Sequence, residues 1–137
     1  MLTGDKIETA KNIGYSSNLI SGPQSNEIII LNEVTKEQQK NCLTKFRNNY
    51  QNIQRKSKNA VLIISGKTLN FVLKPENCLQ FMEVALLCDT VICARVSPSQ
   101  KAQVVKSVTS CLKKIHNENI VTLAIGDGAN DVPMIRE

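Results

Sequence analysis

The sequence predicts an α/β fold, a partial Rossmann-like parallel sheet with flanking helices, and three observations lead there. Four short runs are apolar almost throughout: "EIIIL" (27–31), "AVLIIS" (60–65), "VICA" (91–94) and "VTLAI" (121–125). Strands buried on both faces have this character. Helical patterns fill the intervals, and strand alternating with helix is the signature of parallel strands joined by right-handed crossovers. Polar residues that a plain fold does not require fall just beyond the ends of such runs, at the edge where open α/β sheets present their ligand sites.

Taken in order, Met1 and Leu2 read as the stub of a strand, Thr3, Gly4 and Asp5 as a turn, and a helix begins at about Lys6. "GPQSN" (22–26) and "RKSKN" (55–59) have loop composition. Residues 33–54 set Leu43, Phe46, Tyr50 and Ile53 at spacings of three and four, one face of a helix. "PENCLQFMEVALLC" opens on Pro75, a residue favoured at the first helical position, and its apolar character almost all round predicts a buried helix. "SPSQKAQVVKSVTSCLKKI" collects Val104, Val105, Val108, Leu112 and Ile115 on one side. Its Ser97 and Gln100 match a capping box, with Pro98 at the first helical position.

A chain of 137 residues, 42% hydrophobic and 21% charged, is long enough for one domain with a core and is not disordered in composition. No apolar run approaches the roughly 18 to 20 residues that span a bilayer, and the first residues do not form a signal peptide. The net charge of +5 is concentrated. Between Glu37 and Glu76 there is no acid, while Lys40, Lys45, Arg47, Arg55, Lys56, Lys58, Lys67 and Lys74 all fall there. Such a stretch faces either solvent or an anionic partner, and the solvated helix face is the reading favoured. Aromatics at 4% are too few for base-stacking platforms, so no nucleic acid is expected. Five cysteines without a C-x-x-C pair, and a single histidine, His116, argue against structural zinc and for reduced thiols on the cytosolic side.

Three places carry chemistry. In "LTGD" the Thr3 hydroxyl and the backbone N–H groups at a helix start make an anion site, or else Thr3 or Asp5 simply caps the helix. In "ARVSPSQK" the cation Lys101 opposes the helix dipole in the first turn, which a phosphate between them would reverse; the alternative is a solvent-facing lysine. In "AIGDGANDVPM" Gly126 and Gly128 permit a tight turn that presents Asp127, Asn130 and Asp131. Two carboxylates and an amide oxygen suit Mg²⁺, with an Asx-rich turn as the structural alternative. A hydroxyl, an amine and a carboxylate pair together suit phosphoryl transfer. The nucleophile is missing from the set of Thr3, Lys101, Asp127 and Asp131: the chain has four aspartates, Asp5, Asp89, Asp127 and Asp131, Asp89 precedes a strand instead of following one, and no credible acceptor is found.

At "TGD", "ARVSPSQK" and "GDGAND" the sequence resembles P-type ATPases of the haloacid dehalogenase-like superfamily, with the motifs in that family's order. "MLTGDKIETAKNIGYSSNLI" is most similar to the type IV branch, the phospholipid flippases. The resemblance covers nearly the whole chain and implies that residues 1–137 are a single partial unit. That unit would be the C-terminal part of the phosphorylation domain, with a variable helical and basic stretch around 32–59. It implies that Thr3 binds the phosphoryl group and that Gly4 and Asp5 lie against the ATP phosphates. Arg95 would reach the nucleotide, and Lys101 the phosphoaspartate. Asp127 would ligate Mg²⁺ directly, Asn130 would bond the phosphoryl group, and Asp131 would support the metal indirectly. The implied cofactors are Mg²⁺ and ATP. The implied partners are a phospholipid, met through membrane segments, and an accessory membrane subunit. The family's acceptor motif, Asp-Lys-Thr-Gly-Thr, is absent, so the chain alone is expected to be inactive. The competing expectations are a regulatory ATPase-like module fused to another catalytic domain, such as a guanylyl cyclase, and a haloacid dehalogenase-like phosphatase.

Overall fold

The computed structural model of the chain describes residues 1–33, 35–116 and 121–137, and their side chains except at 115 and 116. Three of the four apolar runs are strands: β1 (Asn26–Leu31), β2 (Asn59–Ser65) and β3 (Thr90–Ala94). They form one parallel sheet in the order β1-β2-β3, with Ile28 opposite Val61 and Ile63 opposite Ile92. Met1–Thr3 continues the sheet beyond β3. Leu2 makes a single parallel bridge to Cys93; the Cys93 N–H donates to the Met1 carbonyl at 2.8 Å and the Thr3 N–H to the Cys93 carbonyl at 2.9 Å. Because every pairing is parallel, Thr3 and the ends of β1, β2 and β3 share one edge.

Six helices flank the sheet: α1 (Ile7–Ser16), α2 (Lys36–Arg55), α3 (Gly66–Val72), α4 (Pro75–Ala85), α5 (Pro98–His116) and α6 (Val132–Ile135). The period-two geometry of a strand divides the core. Leu62 and Ile64 of β2 face one way, onto Phe46 of α2 and Phe81 and Met82 of α4. Val61 and Ile63 face the other way, onto Ala10 of α1 and Ile20. The near-continuous apolar runs are thus explained by cover on both faces. α2 begins in a capping box: the Gln38 N–H donates to the Thr35 hydroxyl and the Thr35 N–H to the Gln38 side chain, each at 3.2 Å.

Several expectations are corrected. "VTLAI" (121–125) is not a strand: it carries no secondary structure, and Val121, Leu123 and Ile125 are 95%, 85% and 82% exposed. Among the described residues the sheet stops at the Met1–Thr3 stub and no ladder reaches 121–125, and β-formers without a neighbouring strand do not make one. α4 is not buried all round, since Leu79 and Leu87, just past its end, are exposed. α3 was not anticipated; the Ser65 hydroxyl at the end of β2 caps it, accepting from the Thr68 N–H at 3.4 Å. Ile115 lies outside the described side chains, but Val104 and Val108 pack on the core as expected.

The basic stretch borrows acids from outside itself. Lys45 pairs with Glu33 (3.1 Å), Arg47 with Glu83 (3.3 Å), and Lys56 and Lys58 with Glu27 (2.8 and 3.6 Å). Asp89 does sit at the opposite edge, where its carboxylate accepts from the Ala60 N–H at 2.8 Å. All five cysteines are free thiols. No described helix is long and apolar enough to cross a membrane.

Candidate functional site

At the carboxyl edge of the sheet a cleft of about 670 Å³ separates Met1–Asp5 from residues 123–131. Thr3, Gly4 and Asp5 form one wall and Asp127, Asn130 and Asp131 the other, with Lys101 between them. Seven of the eight residues singled out in the sequence therefore line one space. The eighth, Arg95, is not in its wall; it is exposed in the loop between β3 and α5.

The first wall is a turn tied to β3. The Thr3 hydroxyl donates to Asp5 Oδ2 at 2.9 Å, and the Asp5 N–H donates back to Thr3 Oγ1 at 3.1 Å. Neither residue caps α1, whose N-cap is Lys6 and makes no side-chain cap bond. The turn is then stitched to the β3–α5 loop: the Arg95 N–H donates to the Asp5 carbonyl (2.9 Å) and the Val96 N–H to the Thr3 carbonyl (3.1 Å).

Lys101 reaches the cleft from the first turns of α5. The predicted capping box is present, the Gln100 N–H donating to Ser97 Oγ at 3.3 Å and the Ser97 N–H to Gln100 Oε1 at 2.9 Å. Lys101 is neither solvent-facing nor without compensation. It is 6% exposed, and its Nζ donates to Asp131 Oδ1 at 2.7 Å. The anion that offsets the cation near the helix start is Asp131.

The second wall is a 3₁₀ turn, Ala129–Asp131, running into α6. Asp131 is buried, and its other oxygen accepts from the Gly128 N–H at 3.3 Å. The Lys101 ammonium first, and the Gly128 amide second, hold its carboxyl below the usual carboxylate range. Asp127 and Asn130 are exposed. The two glycines answer to crowding more than to chain reversal: neither has a positive φ. A Cβ on Gly126 would lie 2.4 Å from the Asp131 Cβ, and one on Gly128 would collide with Asn130 Oδ1. Gly4 has nothing within 4 Å of its would-be Cβ.

The donor set fits a hard cation best at Asp127 and Asn130. Asp127 and Asn130 offer oxygens to the cleft, whereas both oxygens of Asp131 are engaged by Lys101 and Gly128. Among the described residues no group of three His, Cys, Asp or Glu side chains is gathered to hold a metal. Sequence reading missed the crowding of Gly126 against Asp131 and the backbone ties between Thr3–Asp5 and Arg95–Val96, because a main-chain contact leaves no residue-type signal.

The fold and cleft define a parallel α/β domain with a candidate anion and cation site at the carboxyl edge of its sheet. No family model matches the chain. It is 44% identical over 139 residues to phospholipid-transporting ATPase DRS2 of Saccharomyces cerevisiae, an alignment covering 99% of the chain and 10% of that protein. It is 44% identical over 146 residues to probable phospholipid-transporting ATPase 4 of Arabidopsis thaliana, covering 100% and 12%. It is also 44% identical over 140 residues to phospholipid-transporting ATPase VD of Macaca fascicularis, covering 99% and 19%. The chain is therefore a segment belonging to the type IV P-type, phospholipid-transporting ATPase family, and it spans about a tenth of the length of the first two.

Proposed function

We propose that this chain forms the cation-side part of the phosphoryl-transfer site of an ATP-driven phospholipid-translocating P-type ATPase, one that works through an aspartyl-phosphate and depends on Mg²⁺. The observation that carries the reading is the cleft that gathers Thr3, Lys101, Asp127 and Asn130 at the carboxyl edge of a parallel sheet. The relatives' names give the substrate class, and ATP and a phospholipid come to this chain only through that likeness.

In this reading the Thr3 hydroxyl and the N–H groups of the Gly4–Asp5 turn orient phosphate oxygens, and the Asn130 amide donates to another. Lys101 lines the cleft while held by Asp131, so it supplies positive charge at a fixed place. Asp127 would hold the Mg²⁺, which when bound neutralises phosphate charge. Asp131 would act indirectly, by orienting Lys101 and the Gly128 amide. Arg95 would reach the nucleotide from outside the cleft wall. The membrane-borne lipid pathway and an accessory subunit belong to the whole protein.

Mg²⁺ titration of the chain, followed by backbone amide shifts, tests the metal assignment. The shifts are expected at Gly126–Asn130, abolished by Asp127→Ala and only weakened by Asp131→Asn. An unchanged titration of Asp127→Ala would sink the assignment. The chain alone is expected to hydrolyse no ATP, and stable acyl-phosphate formed on it would count against the division of the site proposed here.

A further inference from the structure

The end of β2 makes an unusually close approach to the end of β3, and nothing in the phosphate motifs accounts for it. Gly66 opens α3 directly after β2. A Cβ built there would lie 2.3 Å from the Arg95 carbonyl oxygen and 3.1 Å from its carbon. Those are main-chain atoms, so the conflict cannot be relieved by a side chain turning aside. Gly66 has no positive φ, and so it is the approach, not the backbone conformation, that demands glycine.

Arg95 is itself in an unusual state. Its φ is +53°, one of three non-glycine residues with positive φ among those described, and the only one of them beside the cleft. A residue held there must be over-determined by its surroundings. Three contacts supply the constraint. The Arg95 N–H donates to the Asp5 carbonyl. Its carbonyl is packed against Gly66. Gln100 closes the arrangement from α5: Nε2 donates to the Gly66 carbonyl (2.8 Å) and to Asn70 Oδ1 (2.7 Å), while Oε1 accepts from the Ser97 N–H.

We propose that Gly66 and Gln100 are positioning residues for the phosphate cleft, setting the backbone of Arg95–Val96 and through it the Thr3–Asp5 turn. Neither lines the cleft. The path is short: Gly66 against the Arg95 carbonyl, the Arg95 and Val96 N–H groups onto the Asp5 and Thr3 carbonyls, and the turn they hold forming the cleft wall. The functional half of this inference rests on the phosphate reading above; the structural half does not.

The experiment uses the 137-residue chain with two substitutions, Gly66→Ala and Gln100→Glu. The second keeps the Oε1 that accepts from the Ser97 N–H, so the helix cap survives, but it removes both donations from Nε2. Amide hydrogen exchange is read at Arg95 and Val96, with the β2–β3 ladder as internal control. Inorganic phosphate with Mg²⁺ is then titrated against the amide shifts of Thr3, Gly4 and Asp5. For Gly66→Ala we expect exchange at the two amides to speed up by about tenfold or more with the ladder unchanged. For Gln100→Glu the expected acceleration is about twofold to tenfold, the worth of the one of the two lost bonds, that to the Gly66 carbonyl, which bears on Arg95–Val96. In both variants the phosphate response of Thr3–Asp5 should weaken while the urea midpoint of Gln100→Glu stays near that of the parent chain. A merely structural role would lower the midpoint and leave the phosphate response alone. Unchanged exchange at Arg95 and Val96 in Gln100→Glu would overturn the proposal even if Gly66→Ala fails to fold. If the parent chain shows no response to phosphate and Mg²⁺, the phosphate reading fails and with it the functional half. The exchange data then decide the structural half alone.

Discussion

Gly126→Ala is the sharpest test of how the second wall of the cleft is built. The new Cβ would stand 2.4 Å from the Asp131 Cβ, 2.5 Å from its Cγ and 2.7 Å from Oδ2. Carbon atoms in contact sit about 3.5 Å apart, so Asp131 or the Gly126 backbone must move by about 1 Å. If Asp131 gives way, its bond to Lys101, now 2.7 Å, stretches to roughly 3.7 Å, beyond hydrogen-bonding range. Overpacking of this kind costs about 1–3 kcal/mol. The loss of chain freedom in the unfolded state returns about 0.4–1 kcal/mol, leaving a net destabilisation of about 1–2 kcal/mol. Gly4→Ala is the matched control: its Cβ meets nothing within 4 Å and its φ is not positive, so only the unfolded-state gain remains. Urea unfolding followed by far-ultraviolet circular dichroism should place the Gly126→Ala midpoint below the parent chain and Gly4→Ala at or above it. A Gly126→Ala midpoint equal to that of Gly4→Ala would refute the packing of Asp131 against residue 126.

The same chain supports three further expectations. Asp131 has a folded-state pKa held below its ordinary value of 3.8 by Lys101 and then by the Gly128 amide. Its stabilisation is therefore complete above the ordinary value and is lost as pH falls through the depressed one. Unfolding midpoints measured downward from about pH 5 should fall less steeply in Asp131→Asn than in the parent chain. Phe46 is fully buried with its ring 5.8 Å from that of Phe81, so Phe46→Ala should cost about 3–5 kcal/mol in the same assay. A loss below about 1 kcal/mol would place that ring outside the core. Burial pushes the thiols of Cys42 and Cys93 up to about 11 and that of Cys88 up to about 12. At pH 8 only about a thousandth or less of each is thiolate, so iodoacetamide should label them slowly in the folded chain and quickly in urea. Rapid native labelling of Cys88 would contradict its environment.

The parts of the fold that were legible in the sequence are those where composition and burial coincide. β2 reads "AVLIIS", and its Val61 through Ile64 are all essentially inaccessible, because α1 covers one face and α2, α3 and α4 cover the other. α2 was legible because its Leu43, Phe46, Tyr50 and Ile53 follow one helical period, of which Phe46 and Ile53 are buried. α3 was not, since seven residues give too short a stretch for a helical period to declare itself. The cleft was legible in its residue types: the Thr3 hydroxyl follows the stub paired with β3 and Lys101 comes from the helix after β3, as strand ends on a parallel sheet allow, whereas the carboxylates reach the cleft from a turn that follows no strand. Its scaffolding was not, because Gly66 against Arg95, Gly126 against Asp131, and Arg95 N–H onto Asp5 are all contacts of main chain or of missing Cβ atoms.

Residues 121–125 show the limit of the apolar-run rule most plainly. "VTLAI" and "VICA" are nearly interchangeable in composition, yet Ile92 is inaccessible and Val121 is 95% exposed. The difference lies in their neighbours. β3 has β2 on one side and the Met1–Thr3 stub on the other, so its backbone groups are paired and its side chains covered. Leu123, Ala124 and Ile125 line the cleft together with the same stub, and Leu123 also lines the adjoining apolar cavity of about 290 Å³. β-propensity measures fit to a pleated, half-buried surface rather than a preference of the chain alone. The turn that follows does not depend on that pairing. Asp131 and Gly128 close on each other through the Gly128 N–H to Asp131 Oδ2 bond and the Asp131 N–H to Gly128 carbonyl bond at 2.9 Å, and Lys101 pins the pair from α5. The carboxylate wall is thus held by α5 and its own turn, which is why Asp127 and Asn130 are presented to the cleft although the run before them joins no sheet.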